Sequence, residues 1–280
     1  MGAFLALASA ACYGLVDFAG GLLSRRVHFA VVTFLGQVGG LLLALTAALL
    51  LPAETVWSAD VAWGALSGVG SALAMHFLNR GLSRGAMSVV VPVSAVTGVA
   101  LSVLCGVTFL GDRPTPLAWL GIGVTVPALW LVSAGGTGRA GRGRSGRLPV
   151  DGLIASLGVA VQYIGLAQVD PASGIWPVAT GRLAAVLLLL PSTWRYAREF
   201  RQPARLLGRA VLIGAGAALA LILYLWATQR QMLAVAVVLA SLYPAVPTVL
   251  GLTVLRERVT RAQTVGLMGA VAAVILLSLG

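Results

Sequence analysis

Apolar runs of about 20 residues, the length a helix needs to cross some 30 Å of hydrocarbon, follow one another along the chain with only short polar interruptions. Ten such runs lie near residues 2 to 23, 29 to 51, 61 to 80, 86 to 110, 115 to 134, 149 to 168, 174 to 190, 207 to 229, 232 to 255 and 262 to 279. Their breaks carry residues that end or turn helices: Arg25 with Arg26, Pro52, Gly81 with Gly85, Asp112 with Pro114, the glycine-rich 135 to 147, Asp170 with Pro171, Pro191 and Pro203. The pattern predicts an all-α integral membrane protein of ten transmembrane helices.

Composition agrees. Of 280 residues, 59% are hydrophobic and only 10% charged, and mean hydropathy is +0.97, well outside the range of soluble domains. Ala8-Ser9-Ala10 has the spacing of a signal-peptide cleavage site, but no charged segment precedes it and the apolar core before it is too short. Cys12 and Cys105 both fall within runs and read as small buried hydrophobes, so no structural disulfide is expected.

The segment GDRPTPLAWLGIG at Gly111 to Gly123 returns 145 residues later as RERVTRAQTVGLM at Arg256 to Met268. At that offset residues 84 to 135 align with 229 to 280 without a gap, and sixteen of the fifty-two pairs are identical, among them Met87 with Met232, Gly106 with Gly251, Arg113 with Arg258 and Thr115 with Thr260. The same offset pairs Gly20 with Gly165 and Gly36 with Gly181, so the repeat extends over both halves. Residues 1–135 form a first five-helix repeat, 136–148 a glycine- and arginine-rich linker, and 149–280 a second repeat. An odd number of spans per repeat requires the second copy to enter the membrane from the other side, giving an inverted pair.

Charge supports that inversion. All 19 basic residues are arginines; sixteen fall in the odd-numbered loops, two in the even-numbered ones, and Arg182 lies inside span seven. Loop two, with Glu54 and Asp60, is acidic where its repeat partner carries Arg195, Arg198, Arg201, Arg205 and Arg209. The positive-inside rule places the odd loops in the cytoplasm and both termini outside a cell membrane.

These features resemble the EamA repeats of the drug/metabolite transporter superfamily. The resemblance rests on the acid-arginine turns Asp112-Arg113 and Glu257-Arg258 with Gly121 and Gly266 in the following helices. It rests also on YGLVDFAGGLLSRR from Tyr13, RGAMSVVVPVSA from Arg84 and ASLYPAVPTVLGLTVLRER from Ala240. Asp112 stands where the family usually has glutamate, and the family is commonly drawn with cytoplasmic termini. The resemblance implies a secondary transporter, often an exporter of amino acids, other small metabolites or drugs, with a central cavity between the repeats.

Repeat-based transporters bind substrate at the repeat interface near mid-membrane, where polar side chains are expensive unless used. Asp17 and Arg182 are the charged residues well inside spans. Asp17 fits a substrate or proton-linked role, a structural ion pair, or a reach to interfacial water; Arg182 fits a substrate contact or structural pairing. The two are expected to face one cavity and partly neutralise each other. Tyr13, Gln37, His76, Gln162, Tyr163, Trp176, Ser241 and Tyr243 complete the candidate substrate-binding set, each needing a protein or cavity partner; for His76 simple packing, and for the aromatics interfacial anchoring, are the alternatives. Gly36 with Gly40 and Gly64 with Gly68 have the spacing that lets helix backbones approach, and Pro92, Pro127, Pro177, Pro244 and Pro247 fall within spans.

Other chemistries find little footing. Without a lysine there is no Walker A loop or Schiff base, and two histidines make no zinc protease signature, so neither metal nor cofactor is expected. Gly136 to Gly141 matches G-x-G-x-x-G but follows a span and precedes more Gly/Arg sequence; it reads as a linker, not as a dinucleotide or nucleic-acid site. The rival from another class is an intramembrane serine hydrolase: GLSRG at Gly81 to Gly85 would present Ser83 as nucleophile with His76 or His28 as base, although the strand-turn-helix context is missing. Expected partners are a small-molecule substrate and membrane lipid; the sequence leaves monomer and homodimer open.

Overall fold

The structure is a computed structural model that describes residues 2–83, 115–134, 147–230, 243, 245–256 and 260–279. Among them are nine α-helices and no strand: α1 Gly2–Ser24, α2 Phe29–Leu50, α3 Ser58–Leu82, α4 Pro116–Ala134, α5 Arg147–Ala167, α6 Trp176–Arg195, α7 Ala204–Arg230, α8 Ala245–Thr253 and α9 Arg261–Leu279. Five of these, α1, α2, α3, α6 and α7, are long and apolar enough to cross a membrane. Helix is the form a chain of this composition takes there, because it satisfies every interior backbone N–H and C=O within the segment. Span four, the start of span nine and residues 136–146 of the linker lie outside the described residues, as do Cys105, Pro92 and Pro244, while Arg147 and Leu148, expected in the linker, begin α5.

Helix ends follow local chemistry. His28 caps α2 by accepting the Ala30 N–H at 3.3 Å, and Asp170 accepts the Ala172 N–H at 2.8 Å to start a short 3-10 turn before α6. Pro177 occupies the first turn of α6, where the missing donor is not needed. Pro191, expected to end span seven, instead lies inside α6, which runs on to Arg195. The donor it removes belongs to the last turns of the helix, which ends four residues later.

Packing is the reverse of a soluble core. The buried positions are largely Ala, Gly and Ser, whereas leucines such as Leu42, Leu49, Leu187 and Leu212 point outward, the arrangement expected where lipid is the solvent. Small residues bring backbones together. A Cβ on Gly214 of α7 would collide with the Gly36 carbonyl of α2, and one on Gly68 of α3 with the Gly181 carbonyl of α6.

The helix pairing is regular. The principal contacts are α3 with α5, α1 with α7, α2 with α7, α3 with α6, α2 with α6, and α4 with α9. Exchanging α1 with α5, α2 with α6, α3 with α7 and α4 with α9, as the 145-residue offset prescribes, converts this set of contacts into itself.

The two ends of the bundle differ. At one end the loop after α2 meets the loop before α6: Glu54 N–H donates to Ala172 C=O at 3.1 Å, while Asp60 accepts from Asp170 N–H at 3.2 Å and from the Ser173 hydroxyl at 2.5 Å. A cavity of about 450 Å³ opens here, lined by Glu54, Pro171, Ile175, Leu225 and Trp226 among others. The opposite end carries Arg25, Arg26, Arg80, Arg195 and Arg198. There His28 stacks on Tyr196 at 4.4 Å between centroids, and Arg80 pairs with Asp151 of α5 at 3.4 Å.

Candidate functional site

Between these ends the helices that meet through glycine also bring polar groups together. Arg182 of α6 is 4% exposed and Gln37 of α2 is 2% exposed. Arg182 Nη1 donates to Gln37 Oε1 at 2.8 Å and to Ser71 Oγ of α3 at 3.3 Å, and Gln37 Nε2 donates to the same hydroxyl at 3.4 Å. The close approach depends on Gly40, where a Cβ would stand 3.2 Å from both Cδ and Nε of Arg182. Three helices thus share one hydrogen-bonded knot.

Tyr13 of α1 extends the knot. Its hydroxyl is in polar contact with Arg182 and with Gln162 of α5, and it feels the charges of both Arg182 and Asp17. Asp17, 6% exposed, stands one turn along α1 from Tyr13, on the same face by its i, i+4 spacing. Tyr243 closes the group: its ring centroid is 6.1 Å from that of Tyr13, it feels Asp17, and its backbone carbonyl and Val246 lie against Gly14. Tyr13, Asp17, Gln37, Gln162, Arg182 and Tyr243 are therefore brought to one neighbourhood.

The expected ion pair between Asp17 and Arg182 does not form. Arg182 is held by neutral acceptors, and Tyr13 stands within the influence of both charges. α1 packs against α7 and α8, and Asp17 lies within the influence of Tyr243, just before α8.

His76 belongs elsewhere. It sits five residues beyond Ser71 on α3, roughly 7.5 Å along the axis, with its ring edge-on to Phe29 at 5.1 Å and against Phe77 at 5.4 Å. Trp176 packs at the start of α6 in an apolar cluster with Ala44, Ile175, Leu221 and Ile222, which Tyr13 also joins. Tyr163 lies on α5, and Ser241 lies outside the described residues. The serine-hydrolase arrangement is not built: the Ser83 hydroxyl donates to the Arg80 carbonyl at 2.8 Å as α3 ends, while His76 faces phenylalanines.

Ser71 escaped the sequence reading. Its signal was present, since Gly64, Ser67, Gly68 and Ser71 form one small-residue stripe at helical spacing, the face by which α3 meets α6. A second regularity concerns pairs. At the 145-residue offset Gln37 corresponds to Arg182 and Asp17 to Gln162, so the buried site holds two equivalent pairs, each with one charged and one amide member.

The model of the EamA-like transporter family matches residues 1–134 and 150–279. Among curated proteins, none matches the chain in sequence. A solved crystal structure aligns over 98% of this chain and 95% of its own at 14% identity with a TM-score of 0.58, a likeness of fold.

Proposed function

Since the chain belongs to the EamA-like transporter family, we propose that it is a secondary transporter of the cell membrane, exporting small metabolites such as amino acids or drug-like solutes by alternating access with proton coupling through Asp17. In this reading the ten predicted spans form two inverted repeats. Their helix pairing, which maps onto itself under the 145-residue offset, supports that arrangement. One observation carries the functional reading: charged, amide and phenol groups from both halves converge inside a bundle whose interior is otherwise largely small and apolar. Membrane interiors do not hold such groups without use.

Asp17 is the natural proton carrier of the proposal. It is buried, no described residue pairs with it as a cation, and Tyr13 and Tyr243 stand beside it. A carboxylate in that position is costly to keep charged unless a proton or a substrate cation joins it. If the two access states bind that proton differently, a pH gradient biases the equilibrium between them. The cavity at the acidic end abuts the apolar cluster of Ile175, Leu225 and Trp226, beyond which lies Tyr13; this is the proposed outer approach to the site.

The test is reconstitution into liposomes with a panel of amino acids, nucleobases and cationic dyes, with and without a pH gradient. Asp17→Asn should insert normally and lose pH-driven flux; full retention of that flux would remove the proton role. Orientation follows from the arginine distribution: cysteines placed between residues 196 and 203, on a background lacking Cys12 and Cys105, should resist an impermeant thiol reagent in intact cells. Labelling there, with protection of cysteines near residue 54, would reverse it.

A further inference from the structure

Gln37 and Arg182 hold equivalent positions in the two halves and bond directly to each other, Nη1 to Oε1 at 2.8 Å. Where two copies of a motif are related by a two-fold axis, equivalent positions touch only near that axis. The Arg182 guanidinium therefore stands at the one place that keeps its relation to both repeats when they exchange conformations.

Its surroundings are chemically one-sided. Gln37 and Ser71 take hydrogen bonds from Nη1, Tyr13 lies alongside, and Gly40 leaves the room that Cδ and Nε occupy. All of these are neutral. The ion pair among the described residues, Arg80 with Asp151, is at the arginine-rich end, and no described Asp or Glu pairs with Arg182. Its described hydrogen-bonding partners are Gln37, Ser71 and Tyr13. A buried guanidinium held only by neutral partners matches a carboxylate, which accepts charge-assisted hydrogen bonds and supplies the missing charge. One positive charge calls for one negative charge, because a dianion would bring surplus charge to membrane depth.

We propose that Arg182 is the subsite for the carboxylate of a monoanionic or zwitterionic solute, that Gln37 and Ser71 are positioning residues that orient its guanidinium, and that its axial place lets it serve both access states. The use of that carboxylate as transported cargo rests on the transporter reading; the subsite itself does not.

The test separates the two. Purified full-length protein is treated with phenylglyoxal, and modification of Arg182 is followed by mass spectrometry in the presence of acetate or of acetamide, its neutral isostere. Acetate at about ten times its dissociation constant should slow modification about tenfold, by mass action, and acetamide should not. Gln37→Glu places a carboxylate within the existing bond; it should abolish acetate protection while the unfolding temperature holds or rises. In the exchanged pair Gln37→Arg with Arg182→Gln, acetate should protect the guanidinium introduced at position 37.

The subsite is overturned if Arg182 is unreactive, if acetate and acetamide act alike, or if Gln37→Glu keeps full acetate protection. Loss of protection in the exchanged pair while it unfolds like the wild type overturns the axial placement. Acetate protection without solute flux in liposomes would leave the subsite standing and remove the transporter reading.

Discussion

The contact of α5 with α3 and that of α1 with α7 are equivalent by the repeat offset, yet they are packed differently. On α5, Gly165 and Gly158 press backbone against backbone: a Cβ at Gly165 would lie 2.8 Å from the Trp63 carbonyl oxygen, and one at Gly158 would lie 2.5 Å from Ala74 N. On α1, the counterpart Gly20 faces only the tips of Asn79 and Ile213, at 3.5 and 3.7 Å, and α1 is held to α7 by side chains, Ser9 Oγ to Ala220 C=O at 2.6 Å and Cys12 Sγ to Gly216 C=O at 3.3 Å. Two related segments thus pack in two different ways in one molecule. In the transport cycle proposed above, exchanging the two packings is what would carry a site from one face to the other.

The largest effect should come from the glycines that both halves share as a close crossing. Gly214→Val drives a side chain into the Gly36 carbonyl and should destabilise the protein by about 3 kcal/mol, read as detergent-solubilised thermal unfolding. A wild-type melting curve would mean that α2 and α7 do not cross as described.

The asymmetry itself is tested by two alanines. Gly165→Ala should cost about 1 to 2 kcal/mol and Gly20→Ala no more than about 0.5 kcal/mol, since only the first meets backbone at less than van der Waals distance. Equal losses would erase the comparison. Reversal of the order under conditions that favour the other access state would sharpen it into a direct signature of exchange.

A smaller change is expected at the acidic end, where Asp60 ties the two loops. Asp60→Asn leaves one oxygen to serve both Asp170 N–H and the Ser173 hydroxyl, a loss of about 1 kcal/mol by the same unfolding measurement. An unchanged melting temperature would show that the loops do not depend on this carboxylate.

Much of the site could be read directly. Asp17, Arg182, Gln37 and Gln162 stand out because a polar residue within a twenty-residue apolar run has few neutral explanations. Ser71 did not, since serine is ordinary on a small-residue stripe, and only the approach of Arg182 gives its hydroxyl a task. His76 was open to simple packing as well as to a substrate contact, and its ring lies edge-on to Phe29 of another helix.

Apolar run length and charge by themselves determined that this chain is helical and membrane-embedded, and the 145-residue offset shows that its halves are copies, because hydrocarbon thickness and backbone satisfaction act on each segment locally. Helix rotation was left to the tertiary structure. Whether Asp17 meets Arg182 or Tyr243, and whether Arg182 finds a carboxylate or Gln37, turns on how glycine contacts from distant segments set each helix about its own axis. Those contacts are sums over pairs that share no local pattern, and a membrane interior provides no hydrophobic force to orient one helix face over another, so the close fit of small residues makes that choice.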